Sequence, residues 1–416
     1  MTSRRRVSGS LAIALLGGIG PALIGLLATI GANARLAPST MASLLMVWTV
    51  SGFLSLTDFG LMRTAAAFTA TTGDARGSLL SLRRVSLLIG TGLTVPLAAF
   101  LFIIQERSPQ LGLSALWLMT GLPILSCYTF PVVGSLEGSG RFGVVATHKA
   151  LNAATTYLAP AVLGFWGGGG LVAGMGVLLA YRVLAVILLP RFLAPRIGSV
   201  RSGTHTRPDI VGVLTWIGLS SLLGPAFLYL DRLVIAGQEV SIALFIAYTS
   251  LSEVFIKSYI IPTSLMSVVY PWTVRGLSDR PTEVRRIFVT RLPVLTAFIA
   301  VACALVVFAL PSSTWSVLSV PEVYRDTVGS VAATLAFGTL VNWSSQGLIG
   351  YLQAVGAQRG VALAQVAIMP AYILTLWVAV GHGVVYVAAV WSARVGLMWI
   401  GLWLMTARAP LRWEKE

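Results

Sequence analysis

The stretch from Asp231 to Arg275 reads DRLVIAGQEVSIALFIAYTSLSEVFIKSYIIPTSLMSVVYPWTVR. From Ser241 to about Leu265 it is apolar and long enough to cross a bilayer, which takes roughly 20 residues. Glu253 and Lys257 nevertheless sit near its middle. A charge at that depth costs about 2.5–3.5 kcal/mol on the insertion scale. Such a side chain faces a protein interior or a water-filled cavity, not lipid. Thr249, Ser252, Glu253, Lys257 and Ser264 share one side of a helix, and Phe245 and Phe255 point elsewhere. Glu253 precedes Lys257 by four residues, the favourable order for an ion pair. Either the pair neutralises itself and pins a helix contact, or it lines a translocation cavity.

The rest of the chain supplies the membrane setting. Of 416 residues, 56% are hydrophobic and only 10% charged, against about 25% charged in soluble domains. Mean hydropathy is +0.85. The composition predicts an all-α polytopic membrane protein. Cys127 and Cys303 lie in apolar runs and read as buried thiols. His148, His205 and His382 are scattered and form no metal motif, so neither a metal nor another cofactor is expected.

Hydropathy and helix breakers predict twelve spans, at about 8–31, 41–57, 83–104, 111–134, 143–165, 171–193, 209–230, 241–265, 291–310, 327–349, 361–380 and 383–406. These bounds rest on hydropathy and breakers alone, so the distribution of charge is an independent test of them. With a cytoplasmic N-terminus, the inner side receives 22 of the 29 Lys and Arg. The outer side receives only Arg35, Arg107, Arg232 and Arg325, and Arg182, Lys257 and Arg394 lie within spans. That asymmetry predicts an even number of spans with both termini inside. It also accounts for the net charge of +15 without any nucleic acid. The N-terminal MTSRRRVSGS precedes an apolar run with no small-x-small cleavage site, so the first helix reads as an uncleaved span.

Two basic inner loops stand out. One, PRFLAPRIGSVRSGTHTRPD, divides the chain into residues 1–198 (spans 1–6), a linker 199–208, and residues 209–416 (spans 7–12). The other, VRGLSDRPTEVRRIFVTR, is partly helical in pattern and is expected to lie along the anionic inner surface. Gly20-Pro21-Ala22 in the first span matches Gly224-Pro225-Ala226 in the seventh, which suggests a parallel repeat of the halves. Pro96, Pro123, Pro160 and Pro370 also fall within spans.

No catalytic motif survives scrutiny. Gly138, Gly140 and Gly143 in LEGSGRFG match GxGxxG, but no strand precedes them, and the segment reads as a tight inner loop. Asp58-Phe59-Gly60 has no accompanying phosphate or catalytic loop. The sequon Asn342-Trp343-Ser344 lies inside a span. The ionisable groups near membrane depth are the better candidates. Asp58 and Arg63 bracket the inner end of the second span, Arg182 lies in the sixth, and Asp231 and Arg232 lie at the outer end of the seventh. Arg394 lies inside the twelfth. The bland alternatives are snorkelling for Arg182 and helix-end capping for Asp231 and Arg232. Together these groups carry a cationic bias that suits an anionic substrate such as a phosphate.

Four segments resemble one family: FLSLTDFGLMRTAAAF after the second span, LEGSGRFG after the fourth, YLDRLVIAG with AYTSLSEVFIKSYIIPTSLMSVVYPWTVR across the seventh and eighth, and YLQAVGAQRG after the tenth. They are similar to the polysaccharide transporters, the O-antigen or lipid-linked oligosaccharide flippases of the multidrug/oligosaccharidyl-lipid/polysaccharide (MOP) superfamily. The resemblance implies two six-helix lobes around a central cavity lined by spans 1, 2, 7 and 8. It implies alternating access in the inner membrane, with an ion such as H+ or Na+ as coupling partner. The implied substrate is a polyprenyl-pyrophosphate-linked glycan, and polysaccharide polymerase machinery is the implied protein partner. Arg63, Arg232, Glu253 and Lys257 fall on or beside the cavity-lining spans, and Arg394 lies outside that set. Two other readings stay open: a drug or metabolite exporter on the same fold, and a membrane-embedded glycan-processing enzyme or scaffold.

Overall fold

The computed structural model describes residues 2–56, 60–72, 75–107, 113–193, 210–238, 241–259, 261–262, 266, 270, 273, 280–311, 314–315 and 325–409. Among them every regular element is helical. α1 (Thr2–Arg35), α2 (Pro38–Leu56), α4 (Ala75–Arg107) and α5 (Leu122–Gly138) carry the first four predicted spans, and a 3-10 stretch, Leu113–Gly121, leads into α5. The fifth is α6 (Phe142–Ala153), a π-helical turn (Ala154–Leu158) and α7 (Ala159–Leu163); the sixth is α8 (Gly168–Leu188). α9 (Ile210–Ala236) and α10 (Ile242–Lys257) follow. The last four are α12 (Leu292–Phe308), α13 (Arg325–Ala354), α14 (Gln358–Val380) and α15 (Val384–Arg408).

Two further helices are too short to span. α3 (Leu61–Thr72) was not predicted, whereas α11 (Pro281–Arg286) lies in the inner loop whose pattern reads as helical. Seven described helices are long and apolar enough to cross a membrane, and two shorter apolar stretches, Ile19–Arg35 and Pro38–Leu54, add to them. α4 and α12 turn large apolar side chains outward, with Leu88 75% and Phe298 74% exposed. That arrangement suits a hydrocarbon solvent and not water.

Contacts divide the chain into two compact units, Leu23–Tyr229 on the one hand and Met1–Ala22 with Leu230–Glu416 on the other. The core of the first holds Leu44, Leu45, Met46 and Trp48, all fully buried. α3 lies against α5 there because Gly134 and Gly138 have no side chain. A Cβ at Gly134 would collide with the Met62 carbonyl, and one at Gly138 would come within 2.5 Å of the Ala66 carbonyl oxygen and 2.9 Å of Thr69 Cβ. After Gly138, LEGSGRFG forms the expected tight loop. Gly140 adopts φ 76°, and the Arg141 N–H donates to the Leu136 carbonyl at 2.9 Å, the bond that closes a helix end. The second unit has its own core, in which Phe288, Leu348, Tyr351, Leu352, Val361 and Leu402 pack together.

Filling the α3–α5 contact tests this arrangement. Gly134→Ala forces backbone to move and is expected to cost about 2 kcal/mol or more. Gly143→Ala, with nothing within 4 Å of the new Cβ, is expected to be neutral or slightly stabilising. Thermal unfolding of the purified full-length chain distinguishes the two.

Candidate functional site: a buried ionic group in the second unit

The site is built from α10, α14, α15 and the last turns of α9, all within Leu230–Glu416. α9 does not stop at residue 230, as hydropathy predicts, but runs on to Ala236. Asp231 and Arg232 are therefore helix-interior residues, and both are fully buried, 0% exposed. The capping reading of this pair is thus corrected: the apolar Leu-Val-Ile that follows continues the helix. α9 ends with the Gly237 N–H donating to the Leu233 carbonyl at 3.0 Å. Ser241 then caps α10, its Oγ accepting from the Leu244 N–H at 3.2 Å.

α10 carries Tyr248, Glu253 and Lys257 inward, all buried. Lys257 Nζ lies 3.1 Å from Glu253 Oε2, the i,i+4 pair expected from spacing. Arg232 Nη1 donates to the other oxygen, Glu253 Oε1. One carboxylate is thereby held between two cations contributed by adjacent helices. One turn away, Tyr248 donates to Asp231 Oδ2 at 2.5 Å. α10 ends at Lys257, and the Tyr259 N–H donates to the Ile256 carbonyl at 2.9 Å. The ammonium therefore also sits at the negative end of a helix dipole. Thr249 and Ser252 are buried on the same helix, and Phe255 is half-buried; Ser264 lies outside the described residues.

The group extends to α14 and α15. The Arg394 guanidinium lies 5.2 Å from the Tyr372 ring centre and 5.5 Å from that of Trp391, within cation–π range. Asp231 feels the charges of both Arg232 and Arg394. Trp391 is seated by a missing side chain: a Cβ on Gly338 of α13 would approach its Cζ3 to 2.6 Å. Ser392 Oγ beside it donates to the Thr334 carbonyl at 2.8 Å. The result is a buried cluster of three cations (Arg232, Lys257, Arg394) and two anions (Asp231, Glu253) lined by Tyr248, Tyr372 and Trp391.

The remaining candidates belong to the other compact unit or lie outside the described residues. Arg182 is buried on α8 of the first unit, with His148, Tyr157 and Tyr181 among its electrostatic neighbours; the snorkelling reading does not hold there. His148 Nδ1 and the Tyr181 hydroxyl are 2.7 Å apart. Arg63 is half-buried on α3, and Asp58 lies outside the described residues. Sequence reading gave none of the tyrosines a role. The signal available was a tyrosine five residues before Glu253, on a helix already marked as facing inward.

The chain shares its fold with solved transporters of the MATE family and the MOP superfamily. It resembles a MATE transporter structure with TM-score 0.66 and 14% identity, over 96% of this chain and 95% of the other. A Vibrio cholerae MATE transporter matches with TM-score 0.63 and 11% identity over 97% and 96%. A MOP superfamily transporter from Pyrococcus furiosus matches with TM-score 0.61 and 15% identity over 96% and 94%. In sequence, the chain is 24% identical over 279 residues to a Shigella flexneri protein described as "Putative O-antigen transporter". That match covers 65% of this chain and 64% of the relative, a little under two thirds of its length. No family model matches the chain.

The site's energetics are testable through folding. Removing one partner of a buried ion group costs about 3–5 kcal/mol, so Glu253→Gln, which strands two cations, is expected to lower thermal stability strongly. Tyr248→Phe removes one bond to a charged group and is expected to cost about 1.5–3 kcal/mol. A Glu253→Gln chain as stable as the wild type would mean that the group is hydrated.

Proposed function

We propose that the chain is a flippase of the inner membrane that moves a polyprenyl-pyrophosphate-linked oligosaccharide to the outer leaflet for surface polysaccharide synthesis. The observation that carries this reading is the buried ionic group with its excess of cations. An anionic pyrophosphate crossing the bilayer loses its water, and fixed Arg and Lys side chains replace the lost contacts. The transporter fold and the O-antigen transporter relative support the same reading. In it, residues 1–198 and 209–416 form two six-helix lobes joined by the cytoplasmic linker 199–208, and both termini are cytoplasmic. The positive-inside asymmetry supports that orientation.

Lys257, Glu253, Arg232, Asp231 and Arg394 make up the proposed substrate-responsive group. Arg63, Asp58 and Arg182 are the proposed contributions from the other half. Alternating access lets an incoming phosphate compete with Glu253 for Lys257 and Arg232, loosening the α9–α10 contact. A coupling ion, H+ or Na+, and the polysaccharide polymerase machinery are the proposed partners.

A second reading has its own support: one structural neighbour is described as a multidrug resistance MATE family transporter. Deletion of the gene separates the two. The flippase reading predicts accumulation of a lipid-linked repeat unit on the inner leaflet and loss of the surface polymer. Normal surface glycan with no accumulated intermediate, in a strain with no second flippase gene, would favour a small-molecule exporter.

A further inference from the structure

Two sites in the chain share one unusual construction. The first is the π-helical turn Ala154–Leu158, followed by Pro160. The second is the π-helical turn Ile287–Arg291, followed by Pro293. The register is identical, with the proline two residues past the turn in each. Each turn closes with a bond from i to i−5, Ala159 to Ala154 and Leu292 to Ile287. Each proline lacks the N–H that an α-helix would give to the carbonyl four residues earlier. Those carbonyls belong to Thr156 and Val289.

Both carbonyls are taken by an indole from a distant helix. Trp48 of α2 donates to the Thr156 carbonyl at 3.1 Å. Trp403 of α15 donates to the Val289 carbonyl at 2.8 Å. A backbone group released by proline must find a partner where no water is present, and an indole N–H, a donor with no acceptor role, supplies it. The two sites lie in different compact units, one in Leu23–Tyr229 and one in Leu230–Glu416.

Each bulge also faces a glycine. A Cβ on Gly174 would meet Pro160 Cα at 2.5 Å and the Ala159 oxygen at 3.1 Å, and one on Gly347 would meet Leu292 Cδ2 at 2.7 Å. At Gly174 backbone meets backbone, and at Gly347 the missing side chain leaves room for the Leu292 side chain of the bulged helix. A helix at such a point can bend without breaking an α-helical hydrogen bond. Beyond packing, the indole bond is the restraint.

We propose that these two proline-generated π turns are hinges, one within the fifth span and one where the ninth span begins, each latched by a tryptophan: Trp48 on Thr156 and Trp403 on Val289. In each unit the indole bond holds one bend angle, and its release frees the helix that follows the turn to swing. The device is independent of the cargo carried.

A double-substitution cycle on the full-length chain in lipid nanodiscs tests the latch. Hydrogen exchange is followed at the amides after each turn. Trp48→Phe keeps the ring and loses the donor, so exchange is expected to rise about tenfold. In a Pro160→Ala background the new N–H takes the Thr156 carbonyl, and the same Trp48→Phe change is expected to matter less than about twofold. Equal rises in both backgrounds would overturn the latch and leave the indole as packing alone. Trp403→Phe with Pro293→Ala repeats the cycle, so that one variant failing to fold leaves the test intact. The hinge is tested separately by alkylation of single cysteines introduced on each membrane face. Pro160→Ala and Pro293→Ala are expected to slow exchange between the two access states severalfold, and unchanged kinetics would overturn the hinge.

Discussion

The second unit depends on one carboxylate. Glu253 is buried, and it holds Arg232 of α9 and Lys257 of its own helix at once. None of the three is tolerable alone, because an isolated buried ion costs several kcal/mol. Together they fix the rotation of α10 about its axis and its register against α9. Such a group is a weak source of net stability, since apolar residues of similar volume would often do as well. In the flippase reading proposed above, its value lies in being switchable, because an anion that takes one cation from Glu253 unbalances the rest.

The surroundings hold this group rigid without shielding it with more charge. Tyr248 ties Asp231 to α10. Trp391 and Tyr372 cradle Arg394 through their ring faces, and the bare face of Gly338 seats Trp391. Aromatic rings provide a cation with a partner that carries no counter-charge, which preserves the positive bias. The same economy appears in the backbone: where proline removes a donor, an indole from another helix supplies one. Both solutions follow from a medium that offers no water.

Much of this was legible in the sequence. The helical class followed from composition, and the Glu253–Lys257 pair followed from a spacing of four on an apolar helix. LEGSGRFG formed its tight loop because only glycine takes the positive φ at Gly140 cheaply. Other features were not legible, because they depend on where helices meet. Arg232 looked like a helix-end residue, since hydropathy falls at Asp231; it became the third ion only when α9 continued to Ala236 alongside α10. α3 escaped notice because its packing rests on absent side chains at Gly134 and Gly138, which no apolar pattern records. The π turns were visible only as two ordinary prolines. Their meaning came from tryptophans 108 and 114 residues away.

The central claim is that the ionic group carries transport and does not merely hold α9 to α10. Lys257→Gln separates these roles, because Glu253 keeps its Arg232 partner and the helix contact survives. Full-length protein is reconstituted in proteoliposomes, and movement of a labelled polyprenyl-pyrophosphate oligosaccharide is followed at matched protein content. The account predicts a translocation rate at least about tenfold below wild type, the equivalent of about 1.4 kcal/mol, with the thermal unfolding midpoint lowered by only a few degrees. Wild-type translocation by a folded Lys257→Gln chain would contradict it.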